Sequence, residues 1–431
     1  MSSSGIMNSV NQILFKLFLV LLLFVYYETR VVPGTLHTWV MIIGIVLLMP
    51  ALIKKYLIGA VSLPLDYFLI GILALLVLIG FVSNFGSASA DNLQAYILML
   101  VTYVYAKEST SDDTLEFLYA IAKWFVLING ILIVIQFFTG GYFPARLLAA
   151  GNPPLEIASG VSDGPTKTGM LIAFSLSILF VQFIYRGYKF TLIDFFILFL
   201  GVISLALASS RAGLLSFIGV VFITVLYGIY KSSMSSNFRI NKFVVIACVL
   251  FVVSSIYVLF YGQGLEYLFL LDAFSSSERA VDVLIYKLDN MMDSSTLERF
   301  NTVNYFIGMV KESPWVLLSV GFGVGGFEAS YGLNIHNSWA EVLATTGVYG
   351  FLAFTLLIVY VFHLALSSSR VLQILPLLAA IVSVMIFMLA HDVLRGRLFW
   401  TAFGILAGWI AVHSKSFSNN AGLNEDPSYN H

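Results

Sequence analysis

Two basic side chains in this 431-residue sequence lie at the edges of long apolar runs. Arg211 lies in the short segment 208–212 between two such runs, and His336 comes shortly before the run that begins at Trp339. A guanidinium group presents a planar fork of N–H donors that matches phosphate oxygens. A neutral imidazole can accept a proton from a hydroxyl group. Together they could bind an anionic leaving group and activate a hydroxyl nucleophile.

Both residues also have ordinary explanations. Arg211 could be a loop arginine whose stem follows apolar surface while its charge reaches water. His336 could be a solvated histidine at a helix start, with Asn337 and Ser338 as helix caps, because a single histidine is a weak signal of catalysis. Four other histidines have no promising context: His37, His363, His413 and His431. The residue types alone leave both alternatives open.

Three further arginines lie in polar segments. Arg299 lies on the polar face of a predicted amphipathic helix, where a surface pair with a nearby glutamate is the ordinary alternative. Arg395 and Arg397 lie close to Asp392. They could join an anion site, or they could pair with Asp392 and lipid headgroups.

Patterns of metal ligands are weak in this sequence. Asp289 and Asp293 are four residues apart, but no histidine follows at a ligand spacing, and most such pairs are solvated. Cys248 is the only cysteine, which excludes an intrachain disulfide and a cysteine-based metal site. The sequence therefore predicts no metal and no other cofactor.

The composition shows what must surround these residues. Hydrophobic residues make up 59% of the chain and charged residues only 10%, against about 25% charged residues in soluble domains. The net charge of −1 leaves no overall basic field for DNA or RNA. The composition excludes a soluble enzyme, a disordered chain and a nucleic-acid binder, and it indicates an integral membrane protein of many spans.

Up to twelve apolar runs could cross a bilayer as helices, some of them with help from flanking residues. They are 13–27, 39–53, 65–82, 93–106, 115–138, 168–185, 190–208, 212–230, 243–261, 339–366, 371–389 and 398–412. We therefore predict an all-α fold, a polytopic membrane bundle of about 12 (10–12) transmembrane helices. Residues 1–413 are predicted to form a single transmembrane domain, and 414–431 a disordered cytoplasmic tail.

Orientation follows from the lysines and arginines of the short connections. With the N-terminus in the cytoplasm, eleven lie inside: Lys54, Lys55, Lys107, Lys123, Arg186, Lys189, Lys231, Arg239, Lys242, Arg370 and Lys415. Six lie outside: Arg30, Arg146, Lys167, Arg211, Arg395 and Arg397. This bias predicts a cytoplasmic N-terminus, and an even number of spans returns the C-terminus to the same side.

Two long connections, 139–167 and 262–337, are then outside. The second is predicted to be partly helical, because it contains two S-x-x-E capping boxes. Apolar residues between 297 and 310 have a helical period suited to packing on the bundle. The glycine-rich segment 321–326 predicts a flexible stretch before the next span. Ionisable residues deep within the spans are scarce, which disfavours an ion-coupled transporter.

Three segments in this order resemble the O-antigen ligase and polymerase superfamily of bacterial membrane glycosyltransferases. They are the hairpin SSRAG at 209–213, the loop pattern of Glu298-Arg299 followed by Pro314 and GFGVG at 321–325, and the segment 336–350, which contains His336-Asn337, Glu341, Gly347 and Gly350. The resemblance covers roughly a third of the chain.

This resemblance implies metal-independent transfer of a glycan carried on undecaprenyl pyrophosphate, in the bacterial cytoplasmic (inner) membrane with the active site facing the periplasm. Arg211 then matches a pyrophosphate-binding arginine, Arg299 a phosphate-binding loop arginine, and His336 the histidine that acts on the acceptor hydroxyl. Arg395 and Arg397 are added to the predicted pyrophosphate site by position, because the resemblance does not extend to them.

The favoured function is polymerisation of lipid-linked repeat units into O-antigen or exopolysaccharide. The first alternative is an O-antigen ligase that transfers the glycan to lipid A core, and the alternative from another class is a lipid-linked sugar transporter or flippase. The expected partners are the undecaprenyl-pyrophosphate-linked donor, a glycan or lipid A core acceptor, membrane lipids and a chain-length regulator. No nucleic acid is expected.

Overall fold

A computed structural model of the chain describes residues 3–24, 36–58, 64–83, 90–138, 160, 165–185, 191–208, 210–234, 307–308, 310–312, 314–331, 335, 337–394 and 396–421. Within these residues the chain forms thirteen α-helices. They are α1 (Ser3–Phe24), α2 (Leu36–Leu57), α3 (Pro64–Ser83), α4 (Ala90–Ser109), α5 (Thr114–Phe138), α6 (Pro165–Tyr185), α7 (Leu192–Leu207), α8 (Arg211–Met234), α9 (Pro314–Leu318), α10 (Gly326–Tyr331), α11 (Ser338–Ser367), α12 (Val371–Phe387) and α13 (Arg397–Ala421).

The all-helical fold is confirmed for the described part of the chain. Eleven of the twelve predicted runs overlap these helices, and the run at 243–261 lies outside the described residues. Among the described residues, six helices are long and apolar enough to cross a membrane, namely α2, α3, α5, α6, α8 and α11. Shorter apolar stretches are Ser9–Phe24 within α1, Leu192–Leu207, Val371–Phe387 and Arg397–His413 within α13. The predicted count of 10–12 spans stays a prediction.

The core of the bundle forms where helix backbones come close together. Gly404 and Gly408 of α13 face α4, and a Cβ atom built on Gly404 would lie 2.5 Å from the carbonyl oxygen of Tyr103. Helix α6 is buried around most of its circumference, with 78% of its most apolar stretch inside the protein. Small residues thus allow the helices at the centre to pack closely, as is common in membrane bundles.

The outward faces of the helices are apolar. On α7, Phe195, Phe196 and Phe199 are each more than half exposed. In water this much exposed aromatic surface would be costly, whereas in a bilayer it contacts lipid at no such cost. The exposed residues therefore agree with a multi-pass membrane protein.

The predicted C-terminal tail differs from the structure in its first part. Helix α13 continues to Ala421, into the first part of the predicted tail, and the remainder lies outside the described residues. The physical reason is that no proline or glycine interrupts the sequence before Gly422, so a helix already formed by the apolar run can continue.

Candidate functional site

The start of α11 is capped by Asn337, as the sequence predicts. The Asn337 Oδ1 atom accepts hydrogen bonds from the backbone N–H groups of Trp339 and Ala340, each at 3.0 Å. Its Nδ2 atom donates to the carbonyl oxygen of Leu389 at 2.8 Å. One side chain therefore both begins the helix and fixes it to the residues that follow α12. The side chain of His336, the preceding residue, lies outside the described residues.

Ser338 joins the same two parts of the chain more extensively. Its side chain is fully buried, and its hydroxyl donates to the carbonyl oxygen of His391 at 2.9 Å. The same oxygen accepts from the backbone N–H groups of Val393 at 2.9 Å and Leu394 at 3.1 Å. Ser338 is therefore not the cap that the sequence suggested. It holds the connection between α12 and α13 against the start of α11.

A buried carboxylate lies one turn further along α11. Glu341 is 7% exposed, and its Oε1 atom accepts a hydrogen bond from the Tyr96 hydroxyl at 2.5 Å. The Tyr96 oxygen lies 3.1 Å from the hydroxyl of Thr345. In the sequence, Glu341 is part of a motif only, and no role follows from that pattern. A carboxylate inside a membrane bundle is expensive to keep, so its motif position was the available signal.

The glycine-rich segment is not flexible where the structure describes it, so that prediction is wrong. Gly321 and Gly347 both have positive φ, at +76° and +66°, and a Cβ atom on Gly321 would lie 2.5 Å from the amide nitrogen of Gly347. The backbone N–H of Phe322 donates to the carbonyl oxygen of Ala344 at 2.6 Å. Because α11 is kinked at Gly347, it leaves room for this loop to pack against it.

A second contact of this loop involves α3. A Cβ atom on Gly80 would lie 2.8 Å from the Cα atom of Gly323, which also has positive φ. Val324 next to it is fully buried. The loop is therefore held between the end of α3 and the kink of α11, close to the helix start that follows His336.

The hairpin before α8 packs against α6 through backbone atoms. Ser210 is buried, and its hydroxyl accepts a hydrogen bond from the backbone N–H of Gly213 at 3.3 Å. A Cβ atom on Gly213 would lie 2.7 Å from the carbonyl oxygen of Gly169. Arg211 is the first residue of α8, and its side chain lies outside the described residues. A helix N-terminus carries partial positive charge, which favours anions.

The hairpin, the glycine-rich loop and the first half of α11 fall within one segment that is similar to known proteins. Residues 196–355 match a protein-family model described as O-antigen ligase. This match supports the resemblance of the segment to the O-antigen ligase and polymerase superfamily. No curated protein matches it.

The superfamily segment contains three of the predicted site residues: Arg211, Arg299 and His336. The structure describes the backbone of Arg211, while Arg299, His336 and Arg395 lie outside the described residues. It therefore does not bring these side chains together in one described site, and their roles stay predictions.

Arg397 is the one predicted arginine whose side chain is described. It is the first residue of α13, and its Nη1 atom contacts the Nε2 atom of His37 in the first turn of α2. His37 is 4% exposed. His37 has no promising context in the sequence, although the predicted topology puts the starts of α2 and α13 at the same end of the bundle.

A buried ion pair, which the sequence patterns did not predict, lies at the end of the bundle where α3 begins and α4 ends. The Lys107 Nζ atom lies 2.8 Å from the Asp66 Oδ2 atom, and the two side chains are 1% and 0% exposed. The Tyr103 hydroxyl donates to the same carboxylate at 2.6 Å. The available signal was an aspartate in the first turn of α3 and a lysine in the last turn of α4, because adjacent antiparallel helices bring those turns together.

The described residues contain no group of three or more His, Cys, Asp or Glu side chains suited to a metal ion. Asp289 and Asp293 lie outside the described residues. Metal-independent chemistry therefore stays a prediction for the superfamily segment.

Proposed function

We propose that the protein is a glycosyltransferase that polymerises undecaprenyl-pyrophosphate-linked repeat units into a surface polysaccharide at the outer face of the bacterial cytoplasmic membrane. The observation that carries the proposal is the superfamily match at 196–355, since this segment includes both the hairpin of Arg211 and the helix start that follows His336. The many apolar helices fit an enzyme whose substrates are membrane lipids.

In the proposed reaction, the hydroxyl oxygen of the acceptor attacks the anomeric carbon of the donor sugar. A new glycosidic bond forms and the bond from that carbon to the phosphate oxygen breaks. His336 accepts the hydroxyl proton, and undecaprenyl pyrophosphate leaves with the electron pair of the broken bond. Fixed positive charge is needed where negative charge develops on the leaving group.

The arginines are proposed to supply this positive charge. Arg211, Arg299, Arg395 and Arg397 are proposed to bind the pyrophosphate, since a guanidinium fork matches phosphate oxygens. Two of them, Arg211 and Arg397, are the first residues of helices, where the helix dipole adds to the attraction for an anion. The contact of Arg397 with His37 supports a fixed guanidinium at that position.

Catalysis is proposed to need no metal ion or other cofactor. Glycan transfer by the purified protein in nanodiscs should therefore continue in the presence of EDTA. Loss of transfer that is restored by added Mg²⁺ or Mn²⁺ would contradict this part of the proposal.

The specific alternative is an O-antigen ligase, and the description of the matching family favours it. A ligase takes lipid A core as acceptor, whereas a polymerase takes another lipid-linked glycan. Both enzymes would be surrounded by membrane lipids. A chain-length regulator is a proposed partner for the polymerase only.

Deletion of the gene in its host, followed by gel analysis of the surface glycan, distinguishes the functions. If the protein is a polymerase, its deletion leaves single repeat units on the acceptor. A ligase loss leaves lipid A core without glycan while lipid-linked polymer accumulates. A flippase loss leaves lipid-linked units in the inner leaflet, and His336→Ala should then complement the deletion fully, which would contradict a transferase.

A further inference from the structure

The short helix α9 exposes apolar surface that no described residue covers. Trp315 is 80% exposed and Val316 is 37% exposed. The charged side chains of Lys311 and Glu312 precede them and are also exposed. Charged residues close in sequence to an exposed tryptophan are typical of a segment at the surface of a bilayer.

This helix is held in a fixed place. The backbone N–H of Ser319 donates to the carbonyl oxygen of Trp315 at 3.1 Å, and the N–H of Gly321 donates to that of Val316 at 2.9 Å. Gly321 is itself packed against α11 at Gly347. The exposed face of α9 is therefore attached to the bundle through a short, well-packed connection.

The depth of this connection follows from α3. Helix α3 has 20 residues, which at 1.5 Å per residue gives about 30 Å, the thickness of the hydrocarbon core of a bilayer. Gly80, which contacts Gly323, lies in the last turn of α3. The loop after α9 therefore meets the bundle near the boundary between hydrocarbon and headgroups.

Other exposed apolar side chains lie on the elements that α9 and its following loop contact. Val82 at the end of α3 is 68% exposed, and Tyr349 and Leu352, which follow the kink of α11, are 61% and 50% exposed. Since α9 packs on α11, its exposed tryptophan belongs to the same end of the bundle as these side chains.

We propose that α9 lies in the bilayer interface, with the Trp315 indole between lipid headgroups and acyl chains. The partner is the lipid surface itself. An indole suits this position because its ring is apolar while its N–H can bond to headgroups or water. The alternatives are that water covers Trp315, or that residues of this chain outside the described part cover it.

Spin labels distinguish these three environments. In a Cys248→Ser background, Trp315→Cys is labelled with a nitroxide and the full chain is reconstituted in vesicles of phosphatidylethanolamine and phosphatidylglycerol. Collision with oxygen, which concentrates in lipid, is compared with collision with a water-soluble nickel chelate. Leu352→Cys is the matched control for hydrocarbon, and Glu312→Cys is the matched control for water.

At Trp315→Cys we expect oxygen accessibility to exceed nickel accessibility several-fold, with a ratio between those of the two controls. A ratio equal to that of Glu312→Cys would mean exposure to water, and low accessibility to both reagents would mean a protein cover. Either result would overturn the proposal. Val316→Cys is the second site, and it decides the question if Trp315→Cys does not give monodisperse protein.

Discussion

Arg211 and His336 are assigned different tasks, so their substitutions should cause defects of different kinds. Arg211→Ala removes a charge-assisted hydrogen bond worth about 1.5–3 kcal/mol, so donor binding should weaken roughly ten- to hundred-fold. Arg211→Lys keeps the charge but loses the planar fork, and transfer should still be impaired. Donor binding to purified protein in nanodiscs measures both variants. Wild-type affinity in Arg211→Ala would contradict the assignment.

His336→Ala should leave donor binding nearly intact and lower the turnover rate. Loss of a general base costs about 10²–10⁴-fold in rate. The assay is single-turnover glycan transfer at saturating donor. His363→Ala, which changes an exposed histidine of α11, the helix that follows His336, is the matched control and should transfer at the wild-type rate. A wild-type rate in folded His336→Ala would restore the interpretation as a solvated helix-start histidine.

The buried pair of Asp66 and Lys107 predicts a stability effect at the residue scale. Removing one partner leaves an uncompensated buried charge, which typically costs about 3–5 kcal/mol. Asp66→Asn and Lys107→Met should therefore each lower the midpoint of thermal unfolding in detergent markedly. The double variant should lose much less than the sum, because no isolated charge is left buried.

The control is an ion pair of similar geometry that is exposed. Lys16 Nζ lies 2.5 Å from Asp113 Oδ2, and the side chains are 35% and 58% exposed. The hydrogen bond from Lys16 lowers the pKa of Asp113, yet exposed pairs contribute only about 0–1 kcal/mol. Lys16→Met should leave the unfolding midpoint almost unchanged. Equal effects of Lys16→Met and Lys107→Met would show that burial does not decide the cost.

At the scale of elements, the sequence predicts what is local. Apolar runs of membrane length predict the helices, and the Asn-Ser pair after His336 predicts the cap at Asn337. The role of Ser338 could not be predicted, because its partners lie some fifty residues away in the connection after α12. Likewise, a glycine-rich sequence indicates flexibility, because the sequence does not show that a distant part of the backbone packs against these glycines.

Gly321 tests whether that close packing matters. Gly321→Ala introduces a Cβ atom at positive φ and 2.5 Å from the amide nitrogen of Gly347, so the loop or the kink must move. Strain of this kind costs about 1–3 kcal/mol. We expect a lower unfolding midpoint together with weaker glycan transfer. Gly71→Ala, where a Cβ atom meets no neighbour, is the matched control and should change neither quantity. A neutral Gly321→Ala would show that the loop packing is dispensable.

At the scale of the whole molecule, the ion pairs gather lysines at one end of the bundle. Lys55 contacts Glu108, Lys107 contacts Asp66, and Lys16 contacts Asp113. All three lysines therefore lie near the level where α4 ends and α5 begins. The charge bias in the sequence predicts this grouping, because helices that alternate in direction return to the same side. Packing between the helices decides which charges are buried, and that could not be predicted.

This grouping leads to a prediction about the long connection 262–337. Lysines and arginines are retained on the cytoplasmic side of a membrane, so the end that holds these lysines should be cytoplasmic and the start of α11 should be periplasmic. In a Cys248→Ser background, Ser276→Cys should react with a membrane-impermeant maleimide added to intact spheroplasts. Ser233→Cys, near the end of α8, should react only after the membrane is opened. Protection of Ser276→Cys with labelling of Ser233→Cys in intact cells would invert the topology, and the proposed site could not then meet a donor at the periplasmic face.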